Sequence, residues 1–158
     1  MSHTVADRAG DLRASILAPG LIGVAVMAAV DEIVFHQLLS WHHFYDRSTL
    51  AVGLLADGLL HSGALVALVG GFFWFSDVRW RQALVPAAGW GGFLLGAGAF
   101  QLVDGIGVHK LLRLHQIRYG VDLLPYDVAW NLFGAVLLVI GAVVTWMARR
   151  RWQRRPVA

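Results

Sequence analysis

The sequence predicts an all-α integral membrane protein, a four-helix bundle built from two tandem two-helix repeats. Three observations carry that expectation. Of the 158 residues, 58% are hydrophobic and 15% charged, where a soluble domain has about 45–50% and about 25%. Four apolar runs are long enough to cross a bilayer once their polar ends are included. Finally, the pattern Asp, four residues, His, one residue, Leu-Leu, two residues, His occurs twice, as Asp31–His36–His42 and as Asp104–His109–His115, 73 positions apart. A trailing pair follows each copy, Asp57/His61 after the first and Asp127/Asn131 after the second.

Taken in order, residues 1–15 are polar and balanced in charge, with Arg8 and Arg13 against Asp7 and Asp11, and are expected as a short surface helix or an unstructured arm. The first apolar run is too long, and lacks the small-x-small cleavage pattern, for a removed signal peptide. Ile16 to Val30 alone would span only about 22 Å of a core about 30 Å thick. The first span is therefore expected to continue to about Leu39, carrying Asp31, Glu32 and His36 into the bilayer or its edge. The second span is expected over about Leu50–Phe75, interrupted near its start by Asp57 and His61. The third is expected over about Leu84–His115 and the fourth over about Pro125–Met147, with Pro125 in a first turn that does not need its missing N–H. Repeat one is then 16–75 and repeat two 84–148, within a single transmembrane domain, and 149–158 is a basic tail. Span one should face span three, and span two should face span four, about an axis along the membrane normal. Gly92-x-x-x-Gly96 and Ala25-x-x-x-Ala29 supply the small residues that let membrane helices approach closely.

The termini and the 76–82 loop hold nine Lys/Arg against four in the 41–49 and 110–124 loops. The positive-inside rule then favours cytoplasmic termini. Both copies of the motif fall on the outer side, although the topology argument used only Lys and Arg. The pI near 10 comes largely from Arg149, Arg150, Arg151, Arg154 and Arg155, a stop-transfer flank for an anionic lipid surface. With no aromatic-interleaved basic face outside the spans, nucleic acid is excluded as a partner, and the lipid bilayer is the one that remains.

The chain has no cysteine, which removes disulfides, thiolate ligands, iron–sulfur clusters and a Cys nucleophile. Carboxylates and imidazoles inside a bilayer are costly, about 2.5–3.5 kcal/mol for a central Asp, and so imply pairing, a metal or a pathway. At 3.6 residues per turn Asp31 and His42 share a stripe, but His36 lies well round the helix. One straight helix therefore cannot bring all three to one ion; a neighbour must complete the site or the chain must break near Trp41 and fold back. By depth, His36 matches Asp57, and Asp31 matches His61. Candidate metal residues are Asp31, His36, His42, Asp57, His61, Asp104, His109 and His115, each Asp being a ligand or the orienter of a His. Without sulfur, this set suits zinc, iron, manganese or copper(II). Three alternatives stand beside it: a haem with His36 and His109 as axial ligands and Arg113 or Arg118 near its propionates, a proton or ion pathway, and a zinc-dependent membrane hydrolase. Spacing leaves open whether His42 and His43 are ligands or interfacial residues. No Ser/His/Asp order, phosphate loop or dinucleotide fingerprint is present, and no catalysis is assigned.

The segments Asp31-x4-His36-Gln-Leu-Leu-x-Trp-His42-His43, Ala56-Asp57-Gly58-Leu-x-His61 and Phe100-Gln-Leu-Val-Asp104-Gly-x3-His109-x-Leu-Leu-x-Leu-His115 resemble the domain-of-unknown-function 2243 family of small bacterial membrane proteins, over most of residues 18–135. The resemblance implies four membrane helices and a metal or respiratory setting, beside proteins of copper delivery and cytochrome oxidase assembly. The chain departs from the family pattern at Glu32, where Gly is usual, at Asp104, where Glu is usual, and at Val108, where an acid is usual. Lys110 and Gln116 stand where the pattern has the second His of a pair.

Overall fold

A computed structural model describes residues 10–154, so residues 1–9, with His3, Asp7 and Arg8, and the end of the tail from Arg155 lie outside the described residues. Four helices are long and apolar enough to cross a membrane, and no strand occurs among the described residues. They are α1 (Leu12–Asp31), α2 (Leu50–Trp80), α3 (Pro86–Leu102) and α4 (Leu124–Gln153). α1 continues as a π-helical segment over Glu32–Leu38, and α3 as one over Val103–Leu112. The protein is thus multi-pass, and the first and third spans end in widened turns.

Local chemistry sets the ends. The Asp11 carboxylate accepts the Ala14 N–H at 2.8 Å and Thr49 caps α2 through Val52, each satisfying a helix N–H that has no partner within the helix. The expected boundaries need three adjustments. α1 begins at Leu12, inside the segment read as polar, because Asp11 caps it. α2 runs on to Trp80, and α4 runs past Met147 through Arg149–Arg151 to Gln153, since arginine is a good helix former whose stem covers apolar surface while its charge reaches water.

α1 and α3 form the central pair; α2 packs on α1, and α4 packs on α3. The expected facing of spans one and three is present. The expected facing of spans two and four is not: each outer helix finds its partner on the inner helix next to it. The reason lies in the glycines of α3. A Cβ on Gly96 would strike the Gly20 backbone and one on Gly92 the Ile16 backbone, whereas one on Gly91 would strike Thr145 and one on Gly98 the Gly134 carbonyl and Leu138. α3 therefore presents backbone to α1 on one face and to α4 on the other, and no slot is left through which α4 could reach α2. The remaining faces of α2 and α4 are lined with exposed Leu, Val and Phe such as Leu59, Phe73, Leu132 and Val139, the surface a hydrocarbon solvent requires.

Gly96→Val should destabilise the bundle by about 1–3 kcal/mol or more by overpacking the central pair, while Gly58→Ala, which meets nothing within 4 Å, should leave it within about 0.5 kcal/mol. Thermal unfolding in detergent checks both, and equal effects would contradict the packing described.

Candidate metal centre

Asp31 and His36 are five residues apart, on divergent faces of an α-helix. In a π-helix the N–H of residue i+5 bonds to the carbonyl of residue i, so residues five apart sit one turn above each other. The widened turns therefore bring Asp31 Oδ2 to 3.5 Å from His36 Nε2 and Asp104 Oδ2 to 3.1 Å from His109 Nε2. Gln37 donates to Glu32 at 3.0 Å by the same spacing. After each widened turn the chain reverses at a residue with positive φ, Ser40 (49°) and Arg113 (52°), which stand 73 positions apart. Trp41 N–H donates to the Phe35 carbonyl, and Leu114 N–H to the Val108 carbonyl, closing the two reversals alike.

Each reversal returns a histidine to the bundle. His42 Nδ1–H donates to the Ile117 carbonyl at 2.8 Å, and His115 Nδ1–H donates to the Phe44 carbonyl at 2.9 Å; each loop holds the other's imidazole. The two rings stack, with centroids 4.4 Å apart and planes 8° from parallel. His36 lies 4.5 Å from His42 and His109 4.6 Å from His115. All four are buried, His109 completely. Because a carbonyl only accepts, the proton of His42 and of His115 sits on Nδ1, and each Nε2 lone pair faces the cluster. His109 Nε2 and His115 Nε2 approach to 2.9 Å. Nitrogen and oxygen atoms of His36, His42 and His115, and of Asp104, His109 and His115, gather closely enough to hold an ion, as do those of Glu32, His36 and Asp57.

Asp57, about two turns into α2, has a different role. Its Oδ1 accepts from His36 Nδ1 at 3.0 Å and from the Phe44 N–H at 2.7 Å, and its Oδ2 accepts from His43 Nδ1 at 2.6 Å. Glu32 Oε2 also lies 3.0 Å from His36 Nδ1. His36 Nε2 is left without a hydrogen-bond partner, as are His42 Nε2, both oxygens of Asp31 and Asp104 Oδ2. Buried atoms without partners, beside groups that gather closely enough to hold an ion, fit a cation.

A family model described as a predicted membrane protein (DUF2243) matches residues 18–148. The chain belongs to that family. No curated protein and no solved structure matches it. In this DUF2243 chain the match covers nearly all of the four spans and both copies of the Asp–His–His motif.

The sequence-predicted residues do not all meet. Asp31, His36, His42, Asp104, His109 and His115 converge, and Asp57 joins through His36. His61 does not: it is exposed on the flank of α2, because the buried stripe of that helix, Gly53, Asp57, Ala64, Gly71 and Val78, is one residue wide and His61 lies to its side. Asp31 and His61 are therefore not brought together. The haem geometry is also displaced. The rings of His42 and His115 each lie within 6 Å of both His36 and His109, leaving no plane for a porphyrin between those two, while Arg113 is exposed and Arg118 stacks over Trp41 at 4.7 Å. Glu32 and His43 also join the cluster, through His36 and Asp57 respectively, although neither stands among the candidate metal residues. Glu32 was legible as the i,i+4 partner of His36, but His43 depended on the loop folding back.

Burial, and then the neighbouring imidazoles, hold His42 down to about 2 and His115 to about 4. Both therefore stay neutral where a free imidazole, near 6.5, takes a proton. The unfolded chain then binds more protons than the folded one below about pH 6.5, so these two groups make stability fall as pH is lowered through that window. Imidazole 15N spectra of metal-free protein at about pH 5 should show two histidines neutral with the proton on Nδ1; their protonation there would contradict the buried carbonyl-bonded geometry.

Proposed function

We propose that this protein binds transition-metal ions between its two inner helices, in a centre built from His36, His42, His109 and His115 with Asp31 and Asp104. The observation that carries the reading is the commitment of nitrogens: three of the four imidazoles spend Nδ1 on a carbonyl or carboxylate, so that Nε2 is left as a lone-pair donor toward the cluster. That is the arrangement of metal-bound histidine, oriented by a partner on its other nitrogen. Asp104 Oδ2, His109 Nε2 and His115 Nε2, separated by 2.9 and 3.1 Å about His109, suit one ion with bonds of about 2.0–2.2 Å. His36 and His42, with His115, offer a second position, and Asp31 lies 3.5 Å from His36 Nε2 beside it. Asp57 and Glu32 orient His36 rather than ligate, since Asp57 already accepts three hydrogen bonds. The donor set, nitrogen and oxygen without sulfur, suits zinc, iron, manganese or copper(II).

In this reading the two halves are copies of one two-helix unit. Its support is the 73-residue spacing shared by the motif residues, by Ser40 and Arg113, and by the reciprocal bonds of His42 and His115. The charge distribution supports cytoplasmic termini in a bacterial inner membrane, with the centre toward the outer face. That position suits metal handling beside copper-delivery and respiratory oxidase assembly proteins, the setting the family resemblance implies. The hydrolase reading has no observation of its own. One observation favours the proton-pathway reading: the half-buried His43 connects through Asp57 and His36 to Asp31, at 2.6, 3.0 and 3.5 Å.

Protein purified without a histidine tag should contain tightly held metal by elemental analysis. His109→Ala and His36→Ala should each lose it, His61→Ala should retain it, and Asp57→Ala should weaken it about 10–100-fold by freeing His36. Full occupancy in His36→Ala and His109→Ala would remove the proposal; metal-free protein whose proton flux in liposomes needs Asp57 would put the pathway in its place.

A further inference from the structure

Beside the centre lies a cleft of about 360 Å³ between α1 and α4, with α3 as its floor, a volume within the range of about 300–1,000 Å³ typical of small-molecule sites. Its rim carries Val30, Ala129 and Phe133, all exposed on helices that cross the bilayer, so it opens toward lipid and not toward water. Inside, three polar groups face apolar walls. Asp31 is 1% exposed, Gln101 3% and Trp130 8%, and both Asp31 oxygens, Gln101 Oε1 and Trp130 Nε1 have no hydrogen-bond partner. Unpaired polar atoms buried at that depth are costly, and each such group in a folded protein requires an explanation.

We propose that this cleft binds an aromatic hydroxyl compound dissolved in the bilayer, a phenol or hydroquinone head on an apolar tail. The unpaired atoms are mainly acceptors, so the occupant must donate: its hydroxyls give hydrogen bonds to Gln101 Oε1 and Asp31, and a hydroxyl oxygen accepts from Trp130 Nε1. An acyl chain satisfies none of these atoms, and a phosphate head is repelled by the Asp31 carboxylate. The walls select a ring. Phe35 stands edge-on to Trp130 at 4.9 Å and packs on Trp41 at 5.2 Å, while Trp41 meets Tyr126 at 5.7 Å, a continuous aromatic lining that accepts a further ring in stacked or edge-on contact. At one end Arg118 donates to the Tyr126 hydroxyl at 2.6 Å and lies over Trp41, fixing the aromatic lining in place. The site requires no metal ion: Gln101, Trp130 and the Asp31 oxygen turned away from His36 suffice.

The test is equilibrium binding of radiolabelled decylhydroquinone to the full chain in nanodiscs, with its dimethyl ether and decanol as competitors. Decylhydroquinone should bind saturably, the ether should compete about tenfold less well or worse because it leaves the buried acceptors unpaired, and decanol, with a single hydroxyl and no ring, should compete least. Gln101→Leu should weaken binding by a similar factor, and Ala129→Trp, which fills the mouth, should abolish it. Equal competition by the ether, binding unchanged in Ala129→Trp, or no saturable binding would each overturn the proposal. Should Ala129→Trp fail to give helical, monodisperse protein, the ether comparison and Gln101→Leu decide it alone.

Discussion

Everything in this fold answers to the cost of carrying carboxylates and imidazoles into a bilayer. Asp31, Glu32, His36, Asp104 and His109 stand at the ends of apolar spans and are buried, where no water can satisfy them and an isolated charge costs several kcal/mol. They can persist only by meeting one another. The α-helical repeat does not allow it, because residues five apart diverge; the widened turns do, by placing each Asp over its His. The reversals at Ser40 and Arg113 then bring in the second pair of imidazoles, and each is held by a carbonyl from the opposite loop. The histidine cluster and the ends of the two inner helices are thus one structural unit, tied by the two reciprocal imidazole–carbonyl bonds.

The close approach of α1 and α3 serves the same end. Backbone-to-backbone contact at Gly20 and Gly96 draws the two spans together, which sets His42 against His115 at stacking distance. Glycine density in α3 is therefore more than a habit of membrane helices. It fixes the separation across which the imidazoles meet, and it leaves α2 and α4 as outer staves, each bound to one inner helix.

Much of this was legible in the sequence. Composition and span length gave four helices, the recurring Asp–His–His spacing gave the cluster, and depth counting paired His36 with Asp57. The break near Trp41 was one of two routes left open by the angular argument, and the chain takes it, one residue early at Ser40. What was not legible followed from assuming 3.6 residues per turn throughout: the Asp31–His36 and Asp104–His109 contacts depend on a different helical register, which side-chain pattern alone does not announce. His61 was misplaced for a related reason. Its i,i+4 relation to Asp57 is real, but which flank of α2 faces protein depends on how narrow the α1 contact is, a tertiary property. The two halves also differ in how they are supported. His36 has Asp57 and Glu32 on its Nδ1, whereas His109 Nδ1 has no partner and Lys110 takes the Asp127 carboxylate at 2.6 Å.

The most direct test of the central claim, that imidazoles from both halves converge on metal, is extended X-ray absorption at the edge of the ion bound to untagged protein. The account predicts a nitrogen/oxygen shell at about 2.0–2.2 Å with outer-shell scattering from at least two histidine rings, reduced by His36→Ala and by His109→Ala separately. A bound ion whose spectrum lacks imidazole scattering, or is unchanged in both variants, would contradict it.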